Sequence, residues 1–164
     1  AIIQRDTHET LAQRLQTLGA QALLETLHQV EQGLLDPIEQ DHSDACYANK
    51  LHKSESDVDW SLSAQRIDHH IRALNPWPIA QTETPKGTMR IHMSHCLPEV
   101  HDAPPGTVVY CSDEGVDVAA YGGTVRLIIL QMPGQKALDA KDFINGQKDW
   151  LIPGQCQFAS HKIE

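Results

Sequence analysis

No run of apolar residues in this chain approaches the roughly 18 that cross a bilayer, and Ala1-Ile2-Ile3-Gln4-Arg5 lacks the order of a signal peptide. There is no Cys-x-x-Cys pair. The four cysteines (Cys46, Cys96, Cys111, Cys156) stand far apart, which argues against a zinc ribbon and favours free thiols over a disulfide framework. No serine sits in a nucleophile elbow, and no glycine-rich phosphate loop opens a helix. Gly122-Gly123 falls between two predicted strands and reads as a turn. Internal repeats and low-complexity segments are missing as well. Basic residues are in deficit, 13 against 22 acidic, for a formal net charge of −9. That balance is unfavourable for a nucleic-acid binder, whose affinity comes largely from neutralised phosphates.

What is present softens the last exclusion. Residues 1–46 hold two basic side chains (Arg5, Arg14) against eight acidic ones, whereas residues 47–164 hold eleven against fourteen. The acidity is concentrated in the first segment, leaving room for a local basic face on the second. With 40% apolar and 21% charged residues, 164 residues suit one soluble domain, or one domain plus a piece of another. Ala1 in place of an initiator Met reads as the start of such a piece.

The pattern along the chain falls into three parts. Asp6 or Thr7 can cap a helix over 7–18 that carries Leu11, Leu15 and Leu18 on one stripe. Gly19 is expected to interrupt it before a second helix over 20–32, with Leu23, Leu24, Leu27 and Val30 inward and Gly33 as its stop. Two such helices are not stable alone, so their leucines need an outside partner: a barrel, a second copy, or a missing sheet. Self-association through residues 7–33 is one way to cover them. Residues 35–54 lose periodicity and read as an extended linker.

Ser63 then caps a helix over 64–74, with Ile67, Ile71 and Leu74 inward, and Pro76 and Pro78 forbid its continuation. From there the period becomes alternating. Strands are expected at 79–84, 88–96, 107–111, 116–120 and 124–131, with turns at Pro85-Lys86-Gly87, Asp113-Glu114-Gly115 and Gly122-Gly123. The best-fitting fold class is mainly β with helices. It is a small closed barrel of five or six strands, of the oligonucleotide-binding type, preceded by a helix pair left over from an α/β domain. A last helix near 139–145, capped by Asp139, leads to Trp150 and Pro153-Gly154.

Candidate sites are few. His92, His95, Cys96 and His101 cluster in sequence, yet residues three apart on a strand point to opposite faces, so solvated or hydrogen-bonded histidines are the better account. His69 and His70 lie about 100° apart around a helix and cannot easily share one ion. The aromatics of Asp59-Trp60 and Asn75-Pro76-Trp77-Pro78 are expected to fill core edges and fix a chain exit. The basic residues Lys50, Lys53, Arg66, Arg72, Lys86, Arg90, Lys136, Lys141 and Lys148 suit either a solvated surface or a phosphate-tracking face.

Three elements in order carry a family resemblance: Tyr47-Ala48-Asn49-Lys50-Leu51, then Asp59-Trp60-Ser61-Leu62-Ser63-Ala64, then Ile71-Arg72-Ala73-Leu74-Asn75-Pro76-Trp77-Pro78. With Gly106-Thr107-Val108-Val109, Gly115–Ala120 and Asp149–Gly154, the chain resembles the C-terminal part of the methionyl-tRNA formyltransferase family, covering almost its whole length. The resemblance implies that residues 1–34 are the closing helices of an N-terminal α/β domain, 35–54 the linker and 55–164 the C-terminal barrel. It implies a cytoplasmic enzyme that moves a formyl group from 10-formyltetrahydrofolate to the amino group of methionine on initiator tRNA. The family's catalytic Asn, His and Asp, and its His-x-Ser-Leu-Leu-Pro signature, belong to the N-terminal domain. No catalytic residue, metal site or cofactor site is therefore carried over to this chain.

The expected role of this part is tRNA binding, with Lys50, Lys53, Arg66, Arg72, Lys86, Arg90 and Lys148 as candidates. Lys50 and Lys53 lead, because the family's linker carries lysines there. The sequence departs from the family at Gln147-Lys148-Asp149, where relatives can show an arginine pair before the Trp. Two other readings stay open. One is a related formyltransferase acting on a sugar nucleotide, or a 10-formyltetrahydrofolate hydrolase, with the same barrel. The other is a free-standing RNA-binding or scaffolding module.

Overall fold

The computed structural model describes residues 1–159, which fall into two compact units divided between Leu51 and His52. In the first unit one helix, α1 (His8–Gln32), takes the place of the two expected. The Thr7 hydroxyl accepts from the Thr10 N–H at 3.3 Å, and Thr10 Oγ1 accepts from the Thr7 N–H at 3.0 Å, a reciprocal cap that uses up two otherwise unpaired donors. Asp6 sits beneath it, accepting from Arg14 at 2.8 and 2.7 Å and from the Ile3 N–H at 2.8 Å. These bonds hold its carboxyl down at about 2, with Arg14 the main cause.

Gly19 fails to break α1 for an energetic reason. A mid-helix glycine costs only about 1 kcal/mol relative to alanine, while each residue that continues the helix adds a backbone bond. Gly33, at φ 68, ends the helix by donating to Val30 O at 3.1 Å, while Leu34 donates to Gln29 O at 2.9 Å. No residue of α1 is buried: Leu11 is half-buried, whereas Leu15, Leu23 and Leu27 are 56%, 60% and 51% exposed. Beyond Leu34 the first unit holds only a short 3-10 turn, His42–Asp44. Among the described residues no helix is long and apolar enough to cross a membrane.

The second unit opens with a 3-10 turn, Lys53–Ser56, and then buries Val58 and Trp60. Helix α2 (Ala64–Ala73) starts where the Ser63 hydroxyl accepts from the Arg66 N–H, and turns Ala64, Ile67 and Ile71 inward. The strands are β1 (Ala80–Thr84), β2 (Gly87–Leu97), β3 (Val108–Ser112), β4 (Gly115–Ala120), β5 (Gly123–Gln131) and β6 (Leu138–Asp139). Helix α3 (Ala140–Gly146) follows, its first turn capped by Asp139 accepting from the Asp142 N–H. The dipeptide strand β6 escapes a sequence reading because two residues carry no periodicity.

All pairings are antiparallel and the order is β1-β2-β5-β4-β3, with β6 on β5. Long β2 slips register against β5 between Ile91 and Ser94, a bulge that bends the sheet around α2. The core is Met89 and Ile91 of β2, Val116 and Val118 of β4, and Val125, Leu127 and Leu130 of β5, beneath Ile67, Ile71 and Phe143 of the helices.

The expected closed barrel is corrected here: β1 and β3 do not pair, so the six strands form an open, barrel-like sheet. The C-terminal segment stands between the two edges. Ala159 exchanges backbone bonds with Glu83 of β1 at 2.9 and 3.1 Å, while Phe158 donates to Gly106 O at 2.9 Å and Val108 of β3 donates to Cys156 O at 2.9 Å. The orphaned edge donors and acceptors are thereby met without a further strand. Trp60 locks the seam. Its indole N–H donates to Thr82 Oγ1 at 2.9 Å, Thr82 donates on to Ala159 O at 3.0 Å, and its ring lies 6.0 Å from that of Phe158.

Candidate nucleic-acid interface

Strand pairing alone builds the floor of a groove in the second unit. Arg90 of β2 has Gln81 of β1 on one side and Gln131 of β5 on the other, so three polar side chains form a row across the sheet. Thr88, two residues back on β2, extends it. One wall is Lys53, Ser54 and Asp57, the other Met132-Pro133-Gly134, and the groove measures about 670 Å³. The Lys53 turn is fixed from within: Glu55 Oε1 accepts from the His52 N–H at 2.6 Å, and Ser56 Oγ donates to Lys53 O at 2.7 Å. Asp57 accepts from Gln81 Nε2 at 2.7 Å, tying the wall to the floor. Gln131 donates to Gln135 O at 2.8 Å and shares a 3.0 Å bond with the His92 ring.

The cations of the chain divide sharply. Arg126 is bound to Asp117 and Glu114, which raises its pKa. Lys141 pairs with Asp113 at 2.9 Å and Lys86 with Asp149 at 3.2 Å. Arg72 donates to Asp68 at 3.0 Å, and both side chains are about one-tenth exposed, while the other Asp68 oxygen accepts from Ser94 at 2.8 Å. Lys53 and Arg90 differ: both are exposed, neither has an ion pair among the described residues, and both line the groove. Arg66 and Lys148 are exposed elsewhere on the unit, and Lys50 is exposed in the first unit.

The structure thus brings two of the seven candidates, Lys53 and Arg90, into one groove and commits Arg72 to an internal pair. Gln81 and Gln131 were missed by sequence reasoning. Their signal is the outward parity they share with Arg90 once the strand register is known, and a register is not legible from one strand alone. Trp77 is a correction. Whereas Trp60 fills the core edge as expected at 3% exposed, Trp77 is 57% exposed. Of the histidines of β2, His92 shares its ring hydrogen bond with Gln131. No three metal-ligating side chains gather among the described residues. All four cysteines are free thiols.

Groove and sheet meet known proteins at this point. Residues 50–148 match the family of the formyl transferase C-terminal domain. A methionyl-tRNA formyltransferase of Marinobacter nauticus is 42% identical over 150 residues, covering 92% of this chain and 48% of that protein, so the chain spans about half the length of that relative. Among solved structures, HypX from Aquifex aeolicus in complex with tetrahydrofolic acid superposes with a TM-score of 0.56 at 19% identity, over 76% of this chain and 22% of that one. A multiply substituted HypX variant gives 0.59 at 18% identity over 81% of this chain and 24% of its own. These two likenesses concern the fold. The chain belongs to the formyl transferase family and carries its C-terminal domain.

Proposed function

We propose that this chain is the tRNA-binding portion of an enzyme that transfers a formyl group from 10-formyltetrahydrofolate to methionine on initiator tRNA. The formyl-transfer chemistry is carried by residues outside it. In this reading residues 1–34 close the catalytic domain, which supplies the cover that the α1 leucines require. Residues 35–54 are the linker and 55–164 the tRNA-facing barrel.

One observation carries the reading: Lys53 and Arg90, without ion pairs among the described residues, line a single open groove, while Arg72, Lys86, Arg126 and Lys141 are engaged by carboxylates. Two free positive charges flanked by amide side chains suit a run of phosphates, which accept from both kinds of donor. The amine to be formylated lies at one end of a large polyanion. Phosphate contacts made on this domain would hold that end in register, converting distant binding energy into orientation.

The test is fluorescence anisotropy with methionyl initiator tRNA at low salt. Replacing both residues (K53E/R90E) should weaken binding at least tenfold, whereas K136E/K141E, an equal change of net charge at two residues that do not line the groove, should not. Equal weakening by the two pairs would show general electrostatics rather than a site.

A further inference from the structure

The three tryptophans have different surroundings. Trp60 and Trp150 are 3% and 8% exposed, and each donates its indole N–H, to Thr82 Oγ1 and to Gln147 Oε1 at 2.7 Å. Trp77 is 57% exposed, and its indole N–H has no partner among the described residues. An indole left in water forgoes the burial that ordinarily places tryptophan in a core.

Its backbone is nevertheless held firmly. Ile79 donates to Leu74 O at 3.0 Å across the turn, and Asn75 Nδ2 donates to His92 O at 2.7 Å, pinning the turn to β2. Ile79 takes φ 69, a left-handed value that a β-branched residue rarely adopts and that only the surrounding bonds can maintain. The same His92 reaches Gln131 through its ring, and Gln131 lines the groove beside Arg90. Hydrogen bonds at one residue, the His92 backbone carbonyl to Asn75 and the His92 ring to Gln131, thus connect the turn that bears Trp77 to the groove.

Resting on the RNA-binding reading above, we propose that Trp77 is a stacking platform for an unpaired nucleobase of the bound RNA, while Lys53 and Arg90 hold phosphates of the same strand. A free aromatic face takes any base, and adjacent cations track the backbone. That combination recognises single-stranded rather than duplex nucleic acid. Rigidity of the turn lowers the ordering cost of making the stack.

The probes are hexaadenylate, a GC-rich blunt-ended RNA duplex, and inorganic polyphosphate of matching charge, each titrated into the full chain while tryptophan emission is followed. Because the other two indoles are buried, quenching reports Trp77. Hexaadenylate should bind and quench; polyphosphate should bind without quenching; the duplex should quench less. W77A should weaken hexaadenylate about tenfold, the loss of one base–aromatic stack, and leave polyphosphate unchanged. W77F should retain most of the affinity.

Equal hexaadenylate affinity for W77A and the parent chain overturns the stack, as does quenching by polyphosphate as strong as by RNA. If K53E/R90E weakens tRNA binding while W77A does not, the stacking platform falls and the RNA-binding groove stands. If neither RNA nor polyphosphate binds, both fall together.

Discussion

Gly106 is where the C-terminal segment meets the sheet, and replacing it by alanine tests whether that segment closes the domain. Gly106 has φ +87, and a Cβ built there would lie 2.5 Å from Phe158 O and 3.4 Å from the Trp60 ring. The conformation alone costs an alanine about 1–2 kcal/mol. The clash is with backbone, so the segment itself must move. Opening 2.5 Å to at least 3.0 Å moves the segment by about 0.5 Å or more and weakens the Phe158 N–H to Gly106 O bond, a loss of about 1 kcal/mol. Full release would also expose Phe158, now 2% exposed, for a further ~1.5–3 kcal/mol. G106A is therefore expected to lose from about 2 to about 6 kcal/mol.

Gly122 provides the control: φ is +67, with nothing within 4 Å of its Cβ position, so G122A incurs the conformational cost alone. At about 4 °C per kcal/mol for a unit of this size, G106A should melt at least ~4 °C below G122A by circular dichroism. Equal melting temperatures would refute the argument, because the clash with the segment would then cost nothing.

Two further outcomes concern the polar interior. Removing the Asp68 carboxylate (D68A) takes a buried ion pair from the Arg72 guanidinium, at 11% side-chain exposure, and the acceptor from Ser94, so urea denaturation should show a loss of about 3–5 kcal/mol. D68N, which preserves the shape and an acceptor for Ser94, should lose less. His70 predicts a pH dependence. Burial holds its imidazole below the ordinary 6.5, partly offset by Glu55 and Asp57, and its Nε2 is buried without a partner among the described residues. Below pH 6.5 the unfolded chain therefore binds a proton that the folded chain resists, and stability falls as pH drops until the folded His70 itself titrates. The difference in melting temperature between the parent chain and H70Q should move against the parent from pH 8 to pH 5.5; a constant difference would contradict the assignment.

Local features were the legible ones. Ser63 and Asp139 cap the helices expected of them, because a hydroxyl or carboxylate before an apolar run has one obvious use. The five longer strands lie within a residue or so of their expected bounds, set by turn chemistry at Gly87, Gly115 and Gly122. What was hidden is non-local. Cys156–Ala159 alternate, with Cys156 and Phe158 buried and Gln157 and Ala159 exposed, but four residues are too few to announce a strand, and their place between the sheet edges depends on where β1 and β3 end up. Propensity alone marks Gly19 as a break, because it leaves out the cooperative backbone bonds on either side. Sequence enumerates the basic residues but does not pair them: Asp68 lies four residues before Arg72, a spacing that permits a pair without requiring one, whereas the neighbours of Arg90 come from two other strands.

The central claim is that Lys53 and Arg90 contact phosphates together, and the salt dependence of tRNA binding tests it most directly. Each phosphate contact contributes about 0.7–0.9 to the slope of log K against log salt. Replacing both cations with alanine (K53A/R90A) should therefore flatten the slope by about 1.4–1.8 units while circular dichroism stays unchanged. Parallel lines for the parent chain and K53A/R90A, whatever their offset, would mean that neither side chain displaces a counterion and would contradict the groove as the RNA site.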